Sequence, residues 1–470
     1  MNPHLLVIAL YATILVLLGI WVSRHVRGSA EFFVAGRRLP PSLLFATLLA
    51  ANIGGGSTVG AAGLGYRDGL SAWWWVGSAG LGQLLLAYTV GPRIWRLATA
   101  GGFYTLGDYL AQRYDRRVRG VIAVLLWFGS LAILAGQMIG IAWILNVVTG
   151  IPKAAGCLLG GLCVTVYFTA GGLLSAAWVN VVQLLVKMAG FAIALPLALT
   201  ALGGWDSVAS TVIPRHSESY VSLAGMGVGR IVAYLALLVP PFVVSPGLLQ
   251  KIYGARDEST VRRATAANGL VLLLFAFVPV ILGMAANSAF PDLNHRELAL
   301  PTVMVQLLPV WAGSLALAAI FSAEVSSADA VLFMLSTSLS KDLYKGFLRP
   351  EATDDSLLRV SRVASLAAGG LGIALAILLP SVISALTVFY GLITVSLFVP
   401  VFTGLYSRYP SARTALLSIG LSVPVTVFVH LTTGGEGILG CSPVTAGLLV
   451  SAGIFFLDSA GSRILSRCRR

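Results

Sequence analysis

This 470-residue chain carries little charge. Asp, Glu, Lys and Arg make up 10% of it, against about 25% in ordinary soluble domains. With 57% hydrophobic residues and a mean hydropathy of +0.89, a water-soluble globular fold is excluded. Histidine is scarce, at five residues. The four cysteines, Cys157, Cys163, Cys441 and Cys468, form no metal or redox spacing, so they read as packing residues and predict no disulfide. No catalytic triad, metal cluster or phosphate loop is visible, which argues against an enzyme. Short segments of alternating hydrophobicity do not dominate, which argues against a membrane β-barrel.

Long apolar runs are what the chain has instead. They recur at lengths that cross ~30 Å of hydrocarbon. They fall near 5–23, 41–65, 71–91, 120–148, 154–170, 175–201, 227–250, 264–285, 313–338, 360–379, 382–405, 412–431 and 442–458, about thirteen spans of an all-α polytopic membrane protein. No Lys or Arg precedes the first run and no A-x-A-like site closes it, so it reads as a retained span. One alternating set of loops, together with the tail, holds 25 of the 31 Lys and Arg residues, Lys251 among them. The positive-inside rule makes that side cytoplasmic, with the N-terminus outside and the C-terminus inside the cell membrane. The net charge of +13 therefore reflects topology and gives no support to nucleic-acid binding.

The second span is interrupted at residues 50–60, Ala-Ala-Asn-Ile-Gly-Gly-Gly-Ser-Thr-Val-Gly. Each glycine costs a helix about 1 kcal/mol relative to Ala. An opened backbone survives in lipid only where protein or a cavity surrounds it. Glycines also serve close helix packing, but broken helices at the midplane are where secondary transporters bind their ligands. The span at 227–250 has a cluster of its own, Pro240-Pro241 and Ser245-Pro246-Gly247, five spans later. Two interrupted segments at matching positions predict a five-plus-five inverted-repeat core with broken first and sixth core helices. The chain then reads as a single domain over 1–470. The extra N-terminal span is 5–23, the repeats are 41–201 and 227–405, and two further spans occupy 412–458.

Polar residues at membrane depth mark the interior. In the ninth span Ala323, Ser326 and Ser327 share one helix face and Asp329 borders it one turn on. Hydroxyls with an available carbonyl suit a desolvated alkali cation. Glu324 points about 140° away from Asp329, which suits a structural partner or an inner gate. The sixth span carries Asn180, Gln183 and Lys187 on one face. Lys187 is the only lysine deep in a predicted span and requires a partner, either Asp329, Glu324 or a solute carboxylate. Gln137, Gln250 and Lys251 could hydrogen-bond a solute or join helices. Gly55, Gly56, Ser57 and Tyr390 are the other substrate or gate candidates.

These segments resemble the sodium/solute symporter family, whose core is of the leucine-transporter type. The resemblance rests on Ala50-Ala51-Asn52-Ile53, on Thr169-Ala170-Gly171-Gly172 leading to Trp178-Val179-Asn180-Val181-Val182-Gln183, on Ala323-x-x-Ser326-Ser327, and on Lys341-Asp342-Leu343-Tyr344-Lys345. It covers nearly the whole chain. It implies a sodium site made of the Ala50, Ile53 and Ala323 carbonyls and the Ser326 and Ser327 hydroxyls. It also implies a second cation position, where members use an Asp. Here that residue is Asn180, while Asp329 stands where such members have a Ser. The expected function is sodium-coupled import of a small organic solute by alternating access. The expected partners are the solute, sodium and the lipid bilayer, with no obligate protein partner and no cofactor beyond the coupling ion. The alternatives are a proton-coupled carrier using Asp329 or Glu324, and, with less in their favour, a channel or a transporter-like sensor.

Overall fold

The computed structural model describes residues 2–23, 34–168, 172–438 and 440–468. The Thr169-Ala170-Gly171 motif lies outside them, as does the side chain of Trp178. Its principal helices are α1 (Pro3–Ser23), α2 (Pro41–Asn52), α3 (Val59–Asp68), α4 (Trp73–Tyr88), α5 (Arg116–Thr149), α6 (Lys153–Phe168) and α7 (Gly172–Ala201). They continue with α8 (Val228–Val244), α9 (Pro246–Tyr253), α10 (Glu258–Phe275), α11 (Phe277–Ala289), α12 (Val310–Thr337) and α13 (Asp354–Leu378). Last come α14 (Val382–Ile393), α15 (Val399–Tyr406), α16 (Ala412–Thr433) and α17 (Pro443–Cys468). By length and composition, nine helical stretches among the described residues can cross a membrane. A bent pair brings the number to ten, and two shorter apolar helices, Pro3–Leu18 and Lys153–Val166, accompany them.

Helix ends carry polar caps where the chain leaves the apolar layer. Asp115 accepts from Val118 N at 2.9 Å to start α5, and Asp257 accepts from Thr260 N at 2.7 Å to start α10. Such caps satisfy amide donors that have no partner within the helix. Short helices that the hydropathy pattern did not predict, Val90–Gly101, Leu106–Arg113 and Trp205–His216, connect the spans.

The helices sort into two packed groups. The α4 helix packs along α8 and α10, and α11 packs along α3. The α5 helix packs on α6, α12 and α13. Between the groups, α7 runs against α12 on one side and α2 on the other. The α12 helix is the innermost element: 89% of its most apolar stretch is buried. The approach of α7 to α12 is close because Gly190 has no side chain; a Cβ there would overlap the Ala319 methyl.

The two expected breaks differ in depth. The α2 helix ends at Asn52, Gly55–Ser57 form a 3₁₀ turn, and the chain resumes at Val59 with a bend of 75°. The second break is a single residue, Ser245, between α8 and α9. It does not bend beyond 40°, because Ser245 keeps its amide on Pro241 O at 2.7 Å and its own carbonyl accepts from Leu248 N and Leu249 N. Past the break α9 carries the chain on to Tyr253. Lys251 is consequently a buried helical residue, 2% exposed, and not the loop residue that the sequence led us to expect. A short backbone bridge ties the ends of the two broken segments together: Leu39 N donates to Gly254 O at 2.9 Å and Arg256 N to Leu39 O at 3.2 Å.

Candidate functional site

The 75° break frees backbone groups, and neighbouring helices take them up. Gly54 lies so close to α12 that a Cβ there would overlap Ser327 Oγ and come within 2.8 Å of Gln137 Oε1. Gly55 N donates to Gln137 Oε1 at 2.8 Å, and Trp75 Nε1 donates to Gly56 O at 2.9 Å. Thr58 Oγ1 donates to Gly54 O at 2.9 Å and reaches Glu324 Oε1 at 3.3 Å. A Cβ on Gly55 would stand 2.5 Å from Glu324 Oε2. Glu324 thus contacts the break from α12, through Thr58 and against Gly55. Gln137 seals the break as well as joining helices.

Across the break, α12 presents the two serines. Ser326 Oγ lies 2.8 Å from Ala50 O and 3.1 Å from Ala323 O. Ser327 Oγ donates to Ala51 O at 3.1 Å. The five residues expected to hold sodium are thus drawn together at one seam. A further group stands among them: Lys187 Nζ donates to Ala50 O at 3.0 Å, Ile53 O at 3.2 Å and Ser326 Oγ at 2.8 Å. The three donors of an ammonium meet three oxygen acceptors. Those acceptors are therefore already engaged, and the arrangement does not fit a sodium ion at the same point. Glu324, Asp329 and Lys251 are the charged groups whose fields reach Lys187.

The remaining polar stripe lies alongside. Asn180 Nδ2 and Lys251 Nζ both donate to Thr47 Oγ1, each at 3.1 Å. Asn180 and Asp329 are both buried, and Asp329 acts electrostatically on Lys251. Gln183 takes Ser322 Oγ on its backbone carbonyl at 3.0 Å, while its buried amide makes no hydrogen bond among the described residues.

A cavity opens on the break and encloses about 790 Å³ of empty space, its mouth included. Asn52, Gly54, Gly56 and Ser57 line it from the break, Ser327 and Met334 from α12, and Lys251 from α9. The opposite wall is aromatic. Tyr390 stands against Phe389, Phe242 and Trp75 with ring centroids 5.3, 5.6 and 6.2 Å away. Of the substrate candidates, Gly56, Ser57, Gln137 and Tyr390 reach this cavity. Gly55 is turned toward Glu324 instead. Gln250 lines a smaller second cavity, next to Asp342 and Arg119, because the helical turn of α9 directs it away from Lys251. Trp75, Phe242 and Phe389 also line the cavity; nothing in the sequence separates an aromatic facing a cavity from one facing lipid.

The sequence profile of the Sodium:solute symporter family matches residues 32–419. The chain belongs to that family. It is a sodium-coupled symporter, a multi-pass membrane carrier and not an enzyme. It is 28% identical to the sodium/pantothenate symporter of Escherichia coli (strain K12), covering 91% of this chain and 90% of that one. It is 25% identical to the sodium/glucose cotransporter of Vibrio parahaemolyticus, covering 90% and 84%. Its fold matches a Na⁺-coupled sialic acid symporter solved in a substrate-bound outward-open state, with a TM-score of 0.80 over 97% of both chains at 17% identity.

Proposed function

We propose that this symporter imports a small organic solute bearing an anionic group, by alternating access, through the cavity at the α2–α3 break. One observation carries the solute class: Lys251 is the only ionisable side chain other than Tyr390 in the described lining, and the lining includes no carboxylate. An organic cation would meet that ammonium in a lining that itself offers no carboxylate, whereas a carboxylate would be drawn to it. The aromatic wall offers an apolar body somewhere to pack. Residues 41–201 and 227–405 act as the two repeats that rock about this cavity, within one domain that also includes spans at 5–23 and 412–458. The basic loops support an N-terminus outside and a C-terminus inside the cell membrane.

The test is a thermal-shift screen of the purified carrier against carboxylates, neutral sugars and quaternary amines, followed by uptake into proteoliposomes. A ligand stabilises by mass action. Carboxylates should raise the melting temperature, and Lys251→Met should abolish that rise. Stabilisation by a quaternary amine alone, or by a carboxylate equally in Lys251→Met, overturns the assignment.

A further inference from the structure

We infer that Lys187 is a tethered cation. Its ammonium fills the oxygen cage between α2 and α12 and keeps sodium out of it. The inference rests on the chain being a carrier of this fold, but not on the identity of its solute.

The geometry argues it in three steps. The cage is the point where the broken helix turns two carbonyls, Ala50 O and Ile53 O, toward Ser326 on α12. A centre of positive charge there links α2 to α12 through lone pairs that no helix hydrogen bond requires. Lys187 supplies that centre from α7, with all three N–H groups directed at those oxygens. The side chain is fully buried, among the largest in the molecule to be so. It has been extended into the interior and not toward the membrane surface, where a lysine stem would otherwise carry its charge.

A sodium ion at the same oxygens would sit within contact distance of the ammonium, where two like charges in a poorly polarisable interior repel strongly. The two occupants therefore exclude each other. The neighbourhood balances one added positive charge without a metal. Elements packed on α7 bring Glu324 and Asp329 from α12, and Lys251 acts from α9. The α1 helix contributes Tyr11, which donates to Ser322 at 2.9 Å, and His4, which lies 2.9 Å from Ser314 Oγ, while α2 and α11 contribute no ionisable side chain.

The experiment is sodium binding to purified carrier without solute, read by ²²Na⁺ retention and by thermal shift in NaCl against choline chloride at fixed pH. It is done on the wild type, Ser326→Ala, Lys187→Ala and Lys187→Gln. In the wild type any sodium response should be unchanged by Ser326→Ala, because the cage is not where sodium binds. Either Lys187 variant should gain a saturable sodium response at least tenfold tighter than the wild type's. A wild-type response weakened tenfold or more by Ser326→Ala overturns the inference, and so does a folded Lys187 variant that gains none. If both Lys187 variants fail to fold, Ser326→Ala in the wild-type background decides alone. Solute is absent from the assay, so failure of the proposed substrate class leaves this result intact, and the reverse holds too.

Discussion

Lys187 and Ser326 are 139 residues apart in sequence, and their side chains meet at 2.8 Å across the seam of α7, α12 and the broken α2. This contact makes the opened backbone tolerable. The Ala50 and Ile53 carbonyls, freed when the helix stops, are taken up by a charged donor and not left bare. A buried carbonyl without a partner costs ~1–3 kcal/mol, and hydrogen bonds from an ionised group are worth more than neutral ones. The break is therefore held by groups from four other helices: Lys187 from α7, Gln137 from α5, Trp75 from α4, and Ser327 and Glu324 from α12.

Gly54 is the position where that construction leaves no room. Gly54→Ala would push a methyl into Ser327 and against Gln137, which cannot move without releasing Ala51 O or Gly55 N. Overpacking of this kind costs ~1–3 kcal/mol. The variant should melt several degrees lower in detergent and lose most of its uptake in proteoliposomes. Gly229→Ala, on α8 with nothing within 4 Å of the new Cβ, is the control and should match the wild type. Equal behaviour of the two variants would show that the close approach at the break is unimportant.

Thr58 is the hydroxyl that joins the break to Glu324. Thr58→Val keeps the shape and removes the donor to Gly54 O and to the carboxylate. Gly54 O keeps Ser57 N and Ser57 Oγ as donors, so the loss falls on Glu324 Oε1. Leaving that buried acceptor without its donor should cost ~1–3 kcal/mol, while Thr58→Ser should recover most of it. Melting temperatures of the three proteins decide the matter. A Val variant as stable as the wild type would remove Glu324 from its supporting role.

Much of this was legible in the chain. The glycine run predicted the broken helix because glycine is costly in a helix interior, and the spacing of Ala323, Ser326 and Ser327 placed three oxygens on one face. The stripe Asn180, Gln183, Lys187 was visible for the same periodic reason. The destination of Lys187 was not visible. A flexible four-carbon stem can reach an acid, a solute or a carbonyl, and the choice depends on how near α7 lies to α12, which the small residues Gly190 and Ala319 decide. The depth of the second break was hidden as well, since Pro246 at the start of α9 permits a nearly straight continuation as readily as a bend. Lys251 read as a loop residue because it follows a run that hydropathy ends at 250, whereas α9 carries on to Tyr253.

Trp75 joins the cavity to the break. Its indole nitrogen holds Gly56 O, and its ring meets Tyr234 and Tyr390 edge-on at 5.6 and 6.2 Å. Trp75→Phe keeps an aromatic surface and deletes the donor. Solute affinity should fall about tenfold, the equivalent of ~1.4 kcal/mol, with expression and oligomeric behaviour unchanged. Isothermal titration with the ligand found in the thermal-shift screen measures it. Trp75→Leu, which removes the ring as well as the donor, should do more harm than Trp75→Phe; equal losses would mean that the hydrogen bond alone carries the effect.

On the side rich in basic loops, Arg119 ties three segments together. Its Nη2 lies 2.9 Å from Asp342 Oδ1, 3.4 Å from Asp108 Oδ1 and 2.9 Å from the Lys341 carbonyl, while Thr105 Oγ1 donates to Asp342 at 2.6 Å. Asp342 is the Asp of the Lys341–Lys345 motif, and a Cβ on Gly107 would overlap its carboxylate. Removing one partner of such a buried pair leaves a charge uncompensated, which costs about 3–5 kcal/mol. Arg119→Ala and Asp342→Asn should each destabilise strongly. Their combination should cost less than the sum, with a coupling energy of ~1–3 kcal/mol in a double-mutant cycle. In the single variants the inner face should also open. A cysteine introduced at Ser338, which lines the small cavity beside Asp342, should react faster with a membrane-impermeant maleimide applied from that side. Additive stabilities together with unchanged labelling would reduce Arg119 to a passive surface contact. Coupling with faster labelling would make the Arg119–Asp342 pair the latch that must release before solute can leave by that face.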